Sequence, residues 1–126
     1  MMHYFLSLGS NVNPESNIEL AIIELTKILE ELRCSSTIKT KAEGFEGKDF
    51  LNLVVAGYSN LGFDKFNQLL KTIEDLADRD RTQPKFSNRT LDIDIVLQLD
   101  SEEEILYESD EVQKYTFVSE PLSELL

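Results

Sequence analysis

The sequence of 126 residues predicts an α+β fold in which helices cover one face of an antiparallel sheet. Two observations predict it. Apolar residues alternate with polar ones in several short segments, as in strands, and recur every three or four residues in two longer segments, as in helices. These segments follow one another in the order β-α-β-β-α-β, which is that of the ferredoxin-like sandwich. The length fits one domain, so we expect residues 1–126 to form a single domain.

The first half of the chain supplies a strand, a helix and two further strands. After a strand over residues 4–8, Asn13 is the N-cap candidate of the helix and Pro14 suits its first position. The apolar stripe of this helix consists of Ile18, Ile22, Leu25, Ile28, Leu29 and Leu32. A weakly patterned strand is expected over residues 34–40. The strongest strand pattern begins at Phe50 and is rich in β-branched and aromatic residues.

The second half supplies the other helix and the last strand of the predicted sheet. Asp64 is the expected cap of this helix. Its apolar stripe consists of Phe66, Leu69, Leu70, Ile73, Leu76 and Ala77. A loop marked by Pro84 then leads into a strand over residues 89–97. With both helices on one face of a four-stranded sheet, we expect the other face to be free for a functional site.

Composition and charge exclude several classes of protein. The net charge of −12 argues against a protein that binds a nucleic-acid backbone, including a ferredoxin-like RNA-binding module. The one cysteine, Cys34, cannot form an internal disulfide. The apolar run at the N-terminus is too short for a signal peptide or a membrane span. We therefore expect a cytoplasmic monomer that binds neither nucleic acid nor membrane.

Two aspartates occupy the strand predicted over residues 89–97. Asp92 and Asp94 are two positions apart, so both project from the same face of that strand. A solvated face would explain two acids, but aspartate is depleted in strands and neighbouring like charges disfavour each other. Carboxylates at this spacing can share or bridge a hard cation such as Mg²⁺. The pattern therefore suggests a magnesium site, with a solvated sheet face as the alternative.

A basic cluster precedes that strand in a chain that is otherwise acidic. It consists of Arg79, Arg81, Lys85 and Arg89, with Asp80 as the one acid among them. A cationic helix end would explain Arg79 and Arg81, but it does not predict Arg89 beside two acids. Arginines and a carboxylate pair that holds metal suit a polyphosphate, whose charge they neutralise as a bond breaks. The sequence lacks a G-x-x-x-x-G-K-[ST] loop, so a P-loop enzyme is not predicted.

Two single residues allow two interpretations each, and two others are expected on the surface. Asn52 interrupts an apolar strand, and its amide could recognise a heterocycle edge or could be satisfied by neighbouring backbone. Phe50, on the same face, could stack on a ring or belong to the core. Glu74, five residues before Arg79, is expected on the helix surface from its spacing alone. His3, the one histidine, is expected on the surface.

Four segments together resemble the 6-hydroxymethyl-7,8-dihydropterin pyrophosphokinase family of folate biosynthesis. They are LGSN after the first strand, DFLN opening the third, IEDLADRDR closing the second helix, and RTLDIDIVL. The resemblance covers about residues 4–99, in order and with fitting spacing. It implies a ferredoxin-like fold and an ATP-dependent enzyme. Such enzymes transfer the terminal pyrophosphoryl group of ATP to the hydroxymethyl oxygen of the pterin and leave AMP.

The resemblance also implies roles for individual residues. Asp92 and Asp94 would hold two Mg²⁺ ions, and Arg79 and Arg89 would act beside them on the transferring group. The residues bordering the pterin would be Thr40, Phe50, Asn52 and Phe117. Those around the nucleotide would be Lys71, Glu74, Arg81, Lys85, Phe86 and Arg89. The loop TKAEGFEGKD would be one of the mobile lids.

The C-terminal segment, residues 100–126, departs from the family. The family places a histidine-tyrosine pair and an arginine before the closing phenylalanine, whereas residues 100–111 here contain seven acids and no base. Lys114 is the only basic residue of this segment before Phe117. Ile105, Leu106 and Tyr107 are expected to attach a short strand or turn to the sheet edge. Two interpretations stay open: an active pyrophosphokinase with a shortened C-terminal part, or a degenerate relative that binds a pterin-like ligand without catalysis.

Overall fold

The computed structural model describes residues 1–42, 44–84 and 87–126. Within these residues the chain forms six strands and four helices. In chain order they are β1 (Met2–Ser10), α1 (Pro14–Thr26), β2 (Glu30–Cys34), β3 (Ile38–Thr40), β4 (Phe50–Ser59), α2 (Phe63–Leu76), β5 (Asp92–Leu99), β6 (Ile105–Glu108), α3 (Glu111–Lys114) and α4 (Thr116–Leu125). None of these helices is long and apolar enough to cross a membrane.

All paired strands of the sheet are antiparallel. The order is β2-β4-β1-β5-β6, and β3 also pairs with β4, beyond the end of β2. β1 pairs over its whole length with residues 51–59 of β4, and β5 pairs with the other side of β1. Because α1 and α2 connect strands that are not neighbours, the elements up to β5 reproduce the ferredoxin-like arrangement. The predicted α+β fold class is confirmed.

Helices α1 and α2 cover one face of the sheet. Period-two alternation directs every second residue of the three central strands to this face, where they meet the apolar stripes of the helices. The largest buried side chains there include Tyr4, Leu8, Leu25, Phe66, Leu70 and Ile93. Burial of this apolar surface is the main contribution to folding, at about 25 cal/mol per Å².

The other face of the sheet is not free, which corrects our expectation. Val118, Leu122 and Leu125 of α4 pack against Phe5, Val54 and Ala56 of the sheet in a second apolar cluster. Glu124 of α4 also accepts hydrogen bonds from the backbone N–H and the hydroxyl of Ser36. A short helix at the C-terminus was not predicted. Helix α4 leaves part of this sheet face uncovered, beside the first turn of the helix.

Several predicted boundaries in the first half of the chain are wrong. Helix α1 ends at Thr26, and Leu32 lies in β2, because the chain turns after the helix and pairs with β4. The strand expected over residues 34–40 is two strands, β2 and β3. Asn13 does occupy the N-cap position, but its side chain makes no capping hydrogen bond and its backbone is left-handed, with φ of 44°.

The cap and apolar stripe of α2 and the start of β5 also differ from the prediction. The cap of α2 is Gly62, whose carbonyl accepts a hydrogen bond from the N–H of Phe66, and Asp64 lies in the first turn. Leu76 was placed on the apolar stripe, yet it is 55% exposed at the end of the helix. Strand β5 begins at Asp92 rather than at residue 89.

His3 is buried and not on the surface as expected. Its ring lies between those of Tyr58 and Phe5, with centroid distances of 4.2 and 4.4 Å. Neither ring nitrogen has a hydrogen-bond partner among the residues that the structure describes. Burial, with the positive charge of Arg33 as a smaller cause, therefore lowers the pKa of His3.

The acidic segment forms the outer edge of the sheet, as predicted. β6 pairs with β5, while Ile105 and Leu106 stay mostly exposed and Tyr107 packs edge-on against Phe63 at 4.8 Å. Asp100 accepts hydrogen bonds from the backbone N–H groups of residues 102 and 104, so the carboxylate stabilises the turn before β6. The strand is attached mainly through backbone pairing.

Candidate functional site

A cavity of about 350 Å³ opens on the sheet face that α4 covers in part. It lies where the ends of β1, β4 and β5 meet the first turn of α4 and the two loops before β4 and β5. Its lining residues are Ser7, Gly9, Thr40, Lys41, Phe45, Phe50, Asn52, Arg79, Ser87, Arg89, Asp92, Asp94, Tyr115 and Phe117. The cavity therefore combines acids, arginines and aromatic rings.

Strand register places polar side chains on the cavity floor. Gly9 pairs with Asn52 on one side and with Asp92 on the other, so these three residues form one row across the sheet. Ser7 and Asp94 form the neighbouring row. Gly9 has no side chain, and a Cβ there would lie 3.1 Å from Oδ1 of Asn52. The glycine thus keeps the floor open between the amide and the carboxylates.

Each aspartate is already paired with a cation. Nη2 of Arg79 donates to Oδ1 of Asp92 at 3.0 Å, and Nε of Arg89 lies 4.0 Å from Oδ2 of Asp92. Nζ of Lys71 lies 3.4 Å from Oδ1 of Asp94. The aspartate side chains are 37% and 46% exposed, so both face the solvent of the cavity.

Electrostatics couples Lys71 to Asp94. Burial raises the pKa of Asp94, and the nearby charges of Asp92 and Glu74 raise it further, while Lys71 lowers it in part. Burial of Lys71 favours its neutral amine, but the two carboxylates outweigh this effect and raise its pKa. The ammonium therefore stays charged beside Asp94.

Glu74 connects the basic residues to strand β5. Its side chain is fully buried, which corrects the expected surface position. Oε1 accepts a hydrogen bond from Arg81 at 2.7 Å, and Oε2 accepts from Lys71 at 3.0 Å and from the N–H of Ile93 at 2.7 Å. Because its oxygens are used in this way, Glu74 holds other side chains in place and does not line the cavity.

The two arginines that line the cavity differ in how they are held. Arg89 donates to the carbonyls of Pro84 and Asn88 and to the hydroxyl of Ser87, so its side chain is fixed by its own loop. Among the described residues, the buried Nε of Arg79 has no hydrogen-bond partner and lies 3.9 Å from Oε1 of Glu74. Arg79 is held through its terminal nitrogens, which donate to the carbonyl of Asp80 and to Oδ1 of Asp92.

Asn11 joins the two loops that border the cavity. Its Oδ1 accepts a hydrogen bond from the N–H of Arg89 at 2.8 Å, and its Nδ2 donates to Lys48 O and to Oδ1 of Asn88. A Cβ on Gly47 would approach Asn88 to 2.9 Å, so the loops touch there as well. The sequence segment LGSN includes this residue, but its role in the fold was not predicted.

Aromatic rings form the opposite side of the cavity. Phe45 contacts Phe50 edge-on, with ring centroids 6.5 Å apart. Tyr115 stacks on Phe117, with centroids 4.8 Å apart and an interplanar angle of 21°. Nδ2 of Asn52 donates to the Thr40 hydroxyl at 2.7 Å beside these rings. An amide and planar rings at one end suit a flat polar heterocycle.

The cavity brings together most of the residues singled out in the sequence. Those that line it are Thr40, Phe50, Asn52, Arg79, Arg89, Asp92, Asp94 and Phe117. Lys71, Glu74 and Arg81 lie beside it in the hydrogen-bond network of Glu74. Lys85 and Phe86 lie outside the described residues. Sequence reasoning did not select Ser7, Gly9, Lys41, Phe45, Ser87 and Tyr115, although alternation along β1 could have indicated Ser7 and Gly9.

Asp92 and Asp94 are the two residues of the cavity that could hold a divalent cation. They present carboxylate oxygens on one face of β5, and such hard oxygens suit Mg²⁺. Among residues 1–42, 44–84 and 87–126 no group of three or more His, Cys, Asp or Glu side chains is placed to hold a metal ion. Mg²⁺ also accepts water and phosphate oxygens readily.

These features define a ferredoxin-like α+β protein whose cavity joins two groups of residues. One is an acid–arginine cluster of Arg79, Arg89, Asp92 and Asp94, and the other is an aromatic slot lined by Phe45, Phe50, Tyr115 and Phe117 beside Asn52. The family model of 7,8-dihydro-6-hydroxymethylpterin-pyrophosphokinase (HPPK) matches residues 5–126, and the chain belongs to this family. The resemblance noted in the sequence is thus confirmed and extends through the divergent C-terminal segment. The family is one of diphosphokinases that use ATP and a pterin. A comparison with curated proteins gave no match.

Proposed function

We propose that this chain transfers the pyrophosphoryl group of ATP to 6-hydroxymethyl-7,8-dihydropterin, with AMP as the second product and Mg²⁺ as cofactor. One observation carries the proposal. A single cavity holds the acid–arginine cluster of Arg79, Arg89, Asp92 and Asp94 together with the amide and rings of the aromatic slot. Family membership supplies the chemical class. The pterin would lie in the aromatic slot and the phosphates beside the arginines.

The reaction forms a bond between the hydroxymethyl oxygen and the β-phosphorus of ATP. The bond from that phosphorus to the oxygen shared with the α-phosphate breaks, its electrons stay on AMP, and the hydroxyl proton is released. Mg²⁺ held by Asp92 and Asp94 would neutralise phosphate charge. Arg79 and Arg89 would neutralise charge that develops on the transferring group. Asn52 would orient the pterin through its amide.

The decisive test measures AMP formation from ATP and Mg²⁺ with and without the pterin. Pterin-dependent AMP together with the pterin diphosphate, detected by mass, is the expected result. A variant with Asp94→Ala is the matched negative control, because it removes a carboxylate from the floor and leaves the aromatic slot intact. AMP formation that is independent of the pterin would contradict the proposal.

The alternative is a relative that binds a pterin-like ligand without transferring phosphate. One observation favours it. Lys114, the one basic residue of residues 100–126, pairs with Asp110 at 3.2 Å and is not among the residues that line the cavity. The C-terminal side thus offers no cation to the phosphates in the part of the chain described. Saturable binding of the pterin without any AMP formation would select this alternative.

A further inference from the structure

Tyr115 lines the cavity and was not among the residues predicted for the site. Its ring lies nearly parallel to that of Phe117 at 4.8 Å. Phe117 also lines the cavity. A ring that stacks on another limits its rotation, and such stacked pairs contribute beyond their buried area.

The backbone of Tyr115 is fixed on both sides. Its N–H donates to the carbonyl of Glu111 at 3.0 Å, and its carbonyl accepts from the N–H groups of Val118 and Ser119, both at 3.1 Å. It is therefore the N-cap residue of α4, in an extended conformation. Since Val118 is anchored in the sheet cluster, the stacked rings stand at the start of a helix that is packed on the sheet.

We infer that Tyr115 is a positioning residue for the heterocycle, which acts by holding Phe117 at the wall of the slot. The inference rests on the proposed function for the identity of the ligand. Phe50 and Phe117 both line this end of the cavity, so a flat ring bound there against Phe117 would extend the stack that Phe117 forms with Tyr115. The tyrosine thus acts on the pterin end of the cavity and not on the phosphate end.

The test compares Tyr115→Leu and Tyr115→Met with Tyr115→Phe. Binding of 6-hydroxymethyl-7,8-dihydropterin and of a non-hydrolysable ATP analogue is measured by calorimetry, and unfolding midpoints verify the fold. We expect loss of the ring to weaken pterin binding about threefold to tenfold, since a stacked pair contributes roughly 0.5–1.5 kcal/mol. Affinity for the ATP analogue should stay within about twofold, and Tyr115→Phe should restore pterin binding.

Tyr107→Leu is the control, because Tyr107 contacts Phe63 edge-on at the outer strand and is not among the residues that line the cavity. Three results would each overturn the inference. They are unchanged pterin binding in the Leu and Met variants, a loss of ATP-analogue affinity equal to the loss of pterin affinity, and failure of Tyr115→Phe to restore pterin binding. A wild-type chain that does not bind the pterin would also overturn it. Pterin binding that responds to Tyr115 without any AMP formation would refute only the proposed function.

Discussion

The carboxylate of Glu74 accepts a 2.7 Å hydrogen bond from the backbone N–H of Ile93, the residue between the two aspartates. This contact joins α2 to β5 at the level of the cavity floor. The same carboxylate binds Lys71 and Arg81, so one buried side chain fixes the strand that bears the acids and two of the cations around them.

We predict that Glu74→Ala lowers the free energy of unfolding by about 1–3 kcal/mol, because it leaves the buried N–H of Ile93 without its acceptor and removes the ion pairs of the partly exposed Lys71 and Arg81. Glu74→Gln keeps the shape and part of the hydrogen bonding, so its loss should be smaller. Urea denaturation measures both. Asp75→Asn is the control, since Asp75 pairs with Arg81 at 2.9 Å but is 63% exposed, and its effect should stay below about 1 kcal/mol. Equal losses in all three variants would contradict this role.

This buried carboxylate also shows where sequence reasoning ends. Periodicity correctly predicted that Asp92 and Asp94 share a face, because alternation along a strand is a local property. The burial of Glu74 depends on Ile93, nineteen positions away, and no local pattern reveals such a partner. The same limit applies to helix α1. Its apolar spacing continues to Leu32, although pairing with β4 turns that part of the chain into a strand.

The second prediction concerns the carboxylate pair. Asp92→Ala or Asp94→Ala should abolish pterin-dependent AMP formation while the fold remains intact. Relief of like-charge repulsion alone would stabilise the chain, but each substitution also removes an ion pair with Lys71 or Arg79. The net change in the free energy of unfolding should therefore stay within about 1 kcal/mol. Activity assays and urea denaturation, with the exposed Asp64→Asn as control, measure the two effects. Wild-type turnover in Asp94→Ala would falsify the metal role.

The third prediction concerns the pterin end of the cavity. Asn52→Ala should weaken pterin binding roughly tenfold or more, since polar edges of the ring lose their partner, and should leave ATP binding nearly unchanged. Gly9→Ala should act in the same direction, because its Cβ would press on Oδ1 of Asn52. Calorimetry with each ligand measures both variants, and the exposed Asn60→Ala is the control. A larger loss for ATP than for the pterin would reverse the assignment of the two ends.

The fourth prediction is a pH dependence of stability that arises from His3. Burial lowers its folded-state pKa, so the fold favours the neutral ring. The stability that His3 contributes is complete above the unfolded-state pKa of about 6.5, and it is lost as the pH falls through the lowered folded-state pKa. From this group, the free energy of unfolding changes by at most about 1.4 kcal/mol per pH unit.

Urea denaturation between pH 7.5 and pH 5 measures the effect of His3 on stability. Arg33, Glu103 and Glu31 carry the nearby charges, and they are unchanged in His3→Phe, which replaces the titrating ring by a somewhat larger ring that does not titrate. The phenylalanine variant should therefore lose less stability than the wild type over this range. Identical pH profiles in the two proteins would show that the buried ring does not contribute.

The last prediction concerns the acidic turn before β6. Asp100 and the exposed acids that follow it lie at the outer edge of the sheet, and none of them lines the cavity. Salt limits the distance over which such charges act to about one Debye length, roughly 8–10 Å at physiological ionic strength. Replacing Glu102, Glu103 and Glu104 together by Gln should therefore lower the Michaelis constant for ATP less than about twofold, and less still at high salt.

Steady-state kinetics at low and at high ionic strength measures this change. Glu19, Glu24 and Glu15 on α1 provide a matched triple Gln control on the opposite side of the sheet. If the triple change in the acidic turn lowered the Michaelis constant tenfold, its carboxylates would have to approach the phosphates closely. A site that repels its own nucleotide in this way would favour the non-catalytic relative. A small effect that disappears at high salt would agree with acids that face water at the edge strand and lie away from the phosphates.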